Sequence, residues 1–185
     1  MNQSSYTQSG IWFDYLRSYV SSRLFWNLEW NVDKLMDEFI TLYYDCASGE
    51  AKKIYALFDD YYAEKRAAGE LQVTILSNTS KYMSGELHDI NWLNKIIDTI
   101  DNAISGIKAD DITTGILPAE LASRLEIIKL TPMRMILRNY TSYYSEDTRI
   151  NYAVEFFDLC DKYNVKNLGE SASRSVAARK AEYGL

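Results

Sequence analysis

The first candidates for chemistry in this sequence are one histidine and two pairs of adjacent acids. His88 is flanked by Glu86 and Asp89, a combination that would suit a metal site or a general base. Adjacent carboxylates occur at 59–60 and 110–111. Neighbours on a helix point about 100° apart, whereas glycosidase carboxylates face one another across a sugar. We therefore interpret the acid pairs as solvated helix faces. A lone histidine in a loop that enters a helix more often lies on the surface, so we interpret His88 as a surface residue.

No other pattern in the sequence indicates a self-contained active site. There is no glycine-rich phosphate loop, nucleophile elbow or zinc motif. Cys46 and Cys160 lie far apart within helical patterns, so we expect two buried thiols, and the redox compartment stays open. From these residues we predict no catalytic residue, no metal site and no cofactor for this chain alone.

Charge and hydropathy exclude two classes of partner. The 185 residues include 20 basic and 26 acidic side chains, a net charge of −6, and no cluster of Lys and Arg could neutralise a run of phosphates. Nucleic acid is therefore not an expected partner. No segment approaches the roughly 20 apolar residues of a membrane span, and residues 1–10 lack the features of a signal peptide.

The elements that must position any site are helices. Apolar residues at three- and four-residue spacing predict an all-α fold, an antiparallel bundle of about five to six helices. The first three helices are expected over 12–27, 31–45 and 48–69, with Asn31 as the N-cap of the second. Residues 71–84 break the spacing and are expected to form a connector, either extended or part of a helix.

The second half of the chain is predicted to hold three more helices. The fourth ends at Gly106, and Pro118 suits the first turn of the fifth. Pro132 falls inside the pattern of the fifth helix and must kink or split it. Asp147 or Thr148 can cap the last long helix, whose inward residues are expected to be Ile150, Ala153, Val154, Phe157 and Cys160.

Aromatic residues are abundant, with fifteen tyrosines in the chain. Exposed rings could form a platform that stacks on sugars, or tyrosine could occupy half-buried bundle positions with its hydroxyl reaching water. Most of the rings share the helical spacing of Leu and Ile, which favours the second interpretation.

The order of residues from 16 to 45 follows a family pattern of three parts, Leu-x-x-Tyr-Val-x-x-Lys-Leu-Leu-Trp-Asn, Asp-Val-Asp-x-Leu-x-x-Glu-Phe and Tyr-Tyr-Gly. Arg23 stands where the pattern has lysine, and Asp45 where it has glycine. This segment resembles the junction between the barrel and the helical C-terminal region in glycoside-hydrolase-like proteins. These form a domain-of-unknown-function family that is similar to α-glucuronidases and β-hexosaminidases and is abundant in Bacteroidetes. The matching residues are Leu16, Tyr19, Val20, Leu24, Trp26, Asn27, Val32, Asp33, Leu35, Glu38, Phe39, Tyr43 and Tyr44.

The resemblance implies a place within a larger carbohydrate-active protein, periplasmic or secreted, whose catalytic carboxylates lie on earlier strands of a (β/α)8 barrel. Residues 1–28 would be a remnant of the last barrel strand and helix, 29–170 a helical C-terminal domain, and 171–185 a tail that is either frayed or a docking helix. The implied partners are the barrel of the parent chain and glycans. Gln8 and Trp12 would line the substrate pocket of the intact protein.

Two functions are compatible with these observations. The first is a noncatalytic helical domain that buttresses the barrel, which predicts no turnover of aryl-glycosides by this chain alone. The second is a carbohydrate- or protein-binding module acting through exposed Tyr and Trp. The second predicts a contiguous, solvent-facing aromatic patch of more than a few hundred Å² and a tryptophan fluorescence that responds to ligand.

Overall fold

The computed structural model describes residues 13–70, 88–168 and 175–185. The described ranges form α-helices joined by short turns and loops, and they contain no β-strand. The helices are α1 (Asp14–Trp26), α2 (Val32–Tyr44), α3 (Ser48–Ala67), α4 (Ile90–Ser105), α5 (Pro118–Glu126), α6 (Leu130–Asn139), α7 (Glu146–Lys162) and α8 (Val176–Glu182). Single 3-10 turns lie at Asp45–Ala47, Ala109–Asp111, Ile127–Lys129 and Thr141–Tyr143.

The all-α helical fold is confirmed for this part of the chain, and several helix ends lie where the sequence predicts them. The side chain of Asn31 accepts a hydrogen bond of 2.9 Å from the backbone N–H of Lys34, so it caps α2. Pro118 is the first residue of α5, where its missing N–H costs nothing. Gly69, with φ +71°, follows the end of α3.

The helix that carries Pro132 is split, as predicted, but the break precedes the proline. A 3-10 turn at Ile127–Lys129 separates α5 from α6. Pro132 then lies in the first turn of α6, where backbone N–H groups have no partner within the helix. The tighter turn therefore accommodates a proline that a continuous α-helix would have to bend around.

The start and the inward face of α7 differ from the prediction. Its N-cap is Ser145, whose extended backbone lets the hydroxyl accept from the N–H of Thr148 at 3.3 Å; neither Asp147 nor Thr148 is the cap. Val154 was expected inside but is 37% exposed, and Phe156 is buried instead. Because both Phe156 and Phe157 pack inward, α7 is rotated about its axis relative to the orientation that the sequence predicts.

The core consists of three apolar clusters that meet at α4. One lies among α1 to α5, a second lies among α6, α7 and α8, and a smaller third joins Leu93 of α4 to Met135, Ile136 and Tyr140. Fully buried members of the first cluster are Ala51, Ile54, Ile96, Ile100, Leu121 and Leu125, and buried members of the second include Leu130, Met133, Ala153, Phe156 and Cys160.

The C-terminal segment docks on the bundle. Val176 is buried, and the ring of Tyr183 meets Phe157 of α7 with centroids 5.9 Å apart. Lys180 pairs with Asp161 at 2.5 Å. The tail was expected to be either frayed or a docking helix, and residues 175–185 agree with the docking helix. The predicted domain boundaries after residues 28 and 170 stay predictions.

Two further findings concern the described ranges only. None of their helices combines the length and apolar character that crossing a membrane requires. The connector predicted at 71–84 lies outside the described residues.

Candidate functional site

The two residues predicted to line a substrate pocket, Gln8 and Trp12, lie outside the described residues, and their role stays a prediction. The described chain begins at Phe13. Its ring meets Tyr55 and Phe58 of α3 edge-on, with centroids 5.4 and 6.1 Å away. These contacts anchor the start of α1 in the core.

A groove of about 360 Å³ opens beside Phe13, between α1, α2 and α3. Its walls are mainly apolar, with Leu16, Val20, Met36, Tyr55 and Phe58 among them, and its charged lining residues are Arg17 and Asp59. Arg17 already pairs with Asp14. A single carboxylate at the rim is not the facing pair that glycoside hydrolysis uses, so the described lining favours apolar contact over acid–base chemistry.

The most unusual surface of the described chain is an apolar ridge where α1 passes into α2. We call it the aromatic edge, and it consists of Phe25, Trp26, Leu28, Trp30 and Val32, whose exposed fractions are 69, 90, 85, 46 and 43%. Single exposed apolar residues are ordinary, but exposed apolar patches often mark interaction sites, and these five residues lie within eight positions of the chain. Val32 falls at the three- and four-residue spacing of apolar residues in α2, which predicts a core position, but the structure leaves it exposed.

Polar contacts beneath the aromatic edge hold α1 and α2 together. The Tyr19 hydroxyl donates to the Glu38 carboxylate at 2.9 Å, and Arg23 donates to the Tyr19 hydroxyl at 3.1 Å. Above them, the Asn27 side chain accepts from the N–H of Glu29 at 2.9 Å and shapes the turn. The exposed rings are therefore carried on a structured turn between two packed helices.

His88 is buried, which corrects the prediction that it lies on the surface. Only 1% of it is exposed. Its Nε2 lies 2.9 Å from the Tyr62 hydroxyl, its ring stacks on Trp92 with centroids 5.6 Å apart, and its carbonyl accepts from the Tyr140 hydroxyl. His88, which precedes α4, thus links α3 and α4 to the residue that follows α6.

The surroundings of His88 favour a structural role. Asp89, its acidic neighbour, is the N-cap of α4 and accepts from the N–H groups of Asn91 and Trp92 at 2.8 and 3.1 Å. The Trp92 indole N–H donates to the carbonyl of Leu57 at 3.1 Å, so this ring is also fixed. Within 13–70, 88–168 and 175–185, no three His, Cys, Asp or Glu side chains form a group that could hold a metal ion.

Asp45 is the acid that sequence reasoning missed. It is buried, and its carboxylate accepts from the backbone N–H groups of Thr113 and Thr114, at 3.0 and 2.6 Å, and from the Thr113 hydroxyl at 3.1 Å. Hydrogen bonding from the Thr114 side chain, and then from these backbone groups, lowers the pKa of Asp45 to about 2. Asp45 therefore fastens the loop before α5 to the end of α2.

The two cysteines have different environments. Cys160 is buried as predicted, and burial raises the pKa of its thiol to about 12, so it is an inert core residue. Cys46 is exposed, which corrects the prediction that both thiols are buried. Its position in the 3-10 turn after α2 breaks the helical spacing on which that prediction depended.

A family model matches part of the chain. Residues 1–56 match the family model of a domain of unknown function, DUF4838. No curated protein and no solved structure matches the chain. The matched range contains α1, α2, the aromatic edge and Asp45, and it supports the resemblance to a domain-of-unknown-function family there.

Proposed function

We propose that this chain is a noncatalytic helical domain that packs against the catalytic barrel of a larger glycoside-hydrolase-like protein, and that the aromatic edge is its contact surface. The observation that supports the proposal most is the exposure of the aromatic edge, with Trp26 90% accessible. The barrel buries this surface in the intact protein, and the helical domain buttresses the barrel.

The residues of the aromatic edge could sustain such an interface. Burying one large apolar side chain contributes about 1.5–3 kcal/mol relative to leaving it exposed. Interfaces between domains of one chain bury roughly 600–1,500 Å². Phe25, Trp26, Leu28 and Trp30 together provide a hydrophobic centre for a contact of that size, and Arg23 and Glu38 provide a polar margin.

The position of the aromatic edge in the chain also supports the proposal. It lies within residues 1–56, the range that matches the domain of unknown function. Trp26 and Val32 belong to the family pattern, yet neither contributes to the core of this chain. In the proposal both residues serve the barrel contact.

A binding experiment tests the contact directly. The barrel encoded in the same reading frame is produced separately and mixed with this chain, and binding is followed by isothermal titration calorimetry. Leu28→Ser should weaken the complex, because Leu28 is 85% exposed within the aromatic edge. Leu42→Ser is the matched control, since Leu42 is 60% exposed on α2 outside it. A frame with no barrel, or equal losses in both variants, would contradict the proposal.

An activity assay tests the noncatalytic part of the proposal. The chain alone should show no turnover of a panel of aryl-glycosides. Turnover that disappears on a single substitution such as Asp59→Asn, at the rim of the groove, would show that the chain carries its own active site.

A second function, glycan binding, is favoured by the same exposed rings. Trp26 and Trp30 offer flat faces on which sugars could stack. Glycan binding would change the tryptophan fluorescence, and Trp26→Ala would abolish the change, whereas Tyr143→Ala would leave it intact because Tyr143 lies on another turn. A tryptophan fluorescence that does not change with any member of a glycan panel would exclude glycan binding. Such a result would have no bearing on the proposed barrel contact.

A further inference from the structure

A second cavity, of about 380 Å³, lies among α6, α7 and α8. Its volume falls in the range of small-molecule sites, which is roughly 300–1,000 Å³. We call it the arginine pocket, and the lining residues that matter for the argument are Arg134, Arg138, Arg179, Glu182, Phe157 and Tyr183.

The charge of the arginine pocket is opposite to that of the whole chain. Three guanidinium groups and one carboxylate line it, whereas the chain as a whole carries −6. Arg179 donates to both oxygens of Glu182 at 2.8 Å, which engages the only carboxylate of the described lining. Arg138 is exposed and forms no ion pair with any described residue. The pocket therefore favours an anion.

Aromatic rings give the arginine pocket an apolar wall. Phe157 and Tyr183 meet at an angle of 66°, and the Tyr183 hydroxyl donates to the carbonyl of Leu137 at 3.3 Å. This hydrogen bond turns the polar end of Tyr183 toward α6. Arg149 also lies 5.8 Å from the centre of the Tyr183 ring and adds positive charge nearby. A ligand could therefore pack an apolar body on the wall while its charged group meets the arginines.

We propose that the arginine pocket binds a small organic anion, one carboxylate or phosphate group attached to an aromatic or similarly apolar body. The planar guanidinium matches both oxyanions through paired hydrogen bonds, and the partly exposed ring of Tyr183, backed by the buried Phe157, accepts the body. The proposal concerns a different face from the aromatic edge and does not depend on the proposed function.

Four probes separate the two parts of the recognition. Phenyl phosphate and benzoate carry both an anion and a ring, inorganic phosphate only the anion, and benzyl alcohol only the ring. The ¹⁵N-labelled chain is titrated with each, and the arginine Nε–H signals are followed by NMR. Phenyl phosphate or benzoate should shift the signals of Arg134, Arg138 and Arg179 at lower concentration than either partial probe. Unchanged signals with both complete probes would overturn the proposal.

A matched pair of variants locates the site. Arg138→Ala should weaken binding of the tighter complete probe about tenfold, the loss expected for one charge-assisted hydrogen bond. Arg66→Ala removes the same charge from an exposed position on α3 and should leave binding unchanged. Both residues are exposed, so both variants should melt like the wild type. Equal weakening in the two variants would reduce the effect to general electrostatics and overturn the proposal.

Discussion

Among single residues, Asp45 combines an unfavourable backbone with a favourable side chain. Its φ is +43°, in the left-handed region where glycine is preferred, and the family pattern has glycine at this position. The chain tolerates aspartate because the carboxylate anchors Thr113 and Thr114. The hydrogen bonds that the Asp45 carboxylate accepts from the loop before α5 thus compensate for the strained backbone of Asp45.

The pKa of Asp45 predicts a pH-dependent stability. Because the folded pKa, about 2, lies below the ordinary value of 3.8, its contribution is present above about pH 4 and is lost as the pH falls toward 2. Asp45→Asn should therefore unfold at a lower urea concentration than the wild type at pH 6, and the gap should narrow toward pH 2. Asp110→Asn, at an exposed position, is the control. A gap that is constant with pH would contradict this account.

Two tyrosines with buried hydroxyl groups predict opposite responses to the same change. The Tyr140 hydroxyl donates to the carbonyl of His88, so Tyr140→Phe should lower the free energy of unfolding by about 1–2 kcal/mol. The Tyr152 hydroxyl is buried and has no hydrogen-bond partner among the described residues, so Tyr152→Phe should be neutral or stabilising. Urea unfolding measures both changes. A larger loss in Tyr152→Phe would show that the His88 contact matters less than the geometry indicates.

The sequence predicts local features of residues well and distant contacts poorly. The cap at Asn31 and the helix start at Pro118 depend on neighbours in the chain, and both predictions are confirmed. The burial of His88 depends on Tyr62 and Tyr140, which are 26 and 52 positions away. The anchor at Asp45 spans 68 positions to Thr113. No spacing rule connects residues so far apart.

At the scale of elements, the start of α7 offers a test between sequence and structure. Ser145→Ala should lower the free energy of unfolding by about 1 kcal/mol, because the hydroxyl satisfies the N–H of Thr148. Asp147→Ala should cost less, about 0.3–1 kcal/mol, since that carboxylate only favours the positive end of the helix. Thermal or urea unfolding compares the two. A larger loss of unfolding free energy in Asp147→Ala than in Ser145→Ala would show that Asp147, as the sequence predicts, caps the start of α7.

Helical spacing predicts the elements because one apolar stripe suffices to place a helix on a core. In α4, Leu93, Ile96 and Ile100 recur at three- and four-residue steps, and all three are fully buried. The rotation of α7 and the position of the break before Pro132 were not predictable from spacing. Both features depend on how neighbouring helices pack. In α7, for example, the adjacent Phe156 and Phe157 are both buried.

At the scale of the whole molecule, α4 contributes to all three apolar clusters, and each of the two larger clusters is accompanied by a different candidate surface. The aromatic edge belongs to the α1–α2 side, and the arginine pocket to the α6–α8 side. The sequence predicts abundant aromatic rings but not which of them the bundle leaves outside. Trp92, in the first turn of α4, is fixed within the fold, whereas Trp26, the last residue of α1, is exposed because no described element covers that end.

Quenching of Trp26 fluorescence by acrylamide tests the barrel contact most directly. The contribution of Trp26 is the difference between the wild type and Trp26→Phe, measured in this chain alone and in the complete product of its reading frame. The account predicts strong quenching in the chain alone, where Trp26 is 90% exposed, and marked protection in the longer protein. Equal quenching in both would contradict the proposal that the aromatic edge packs against the barrel.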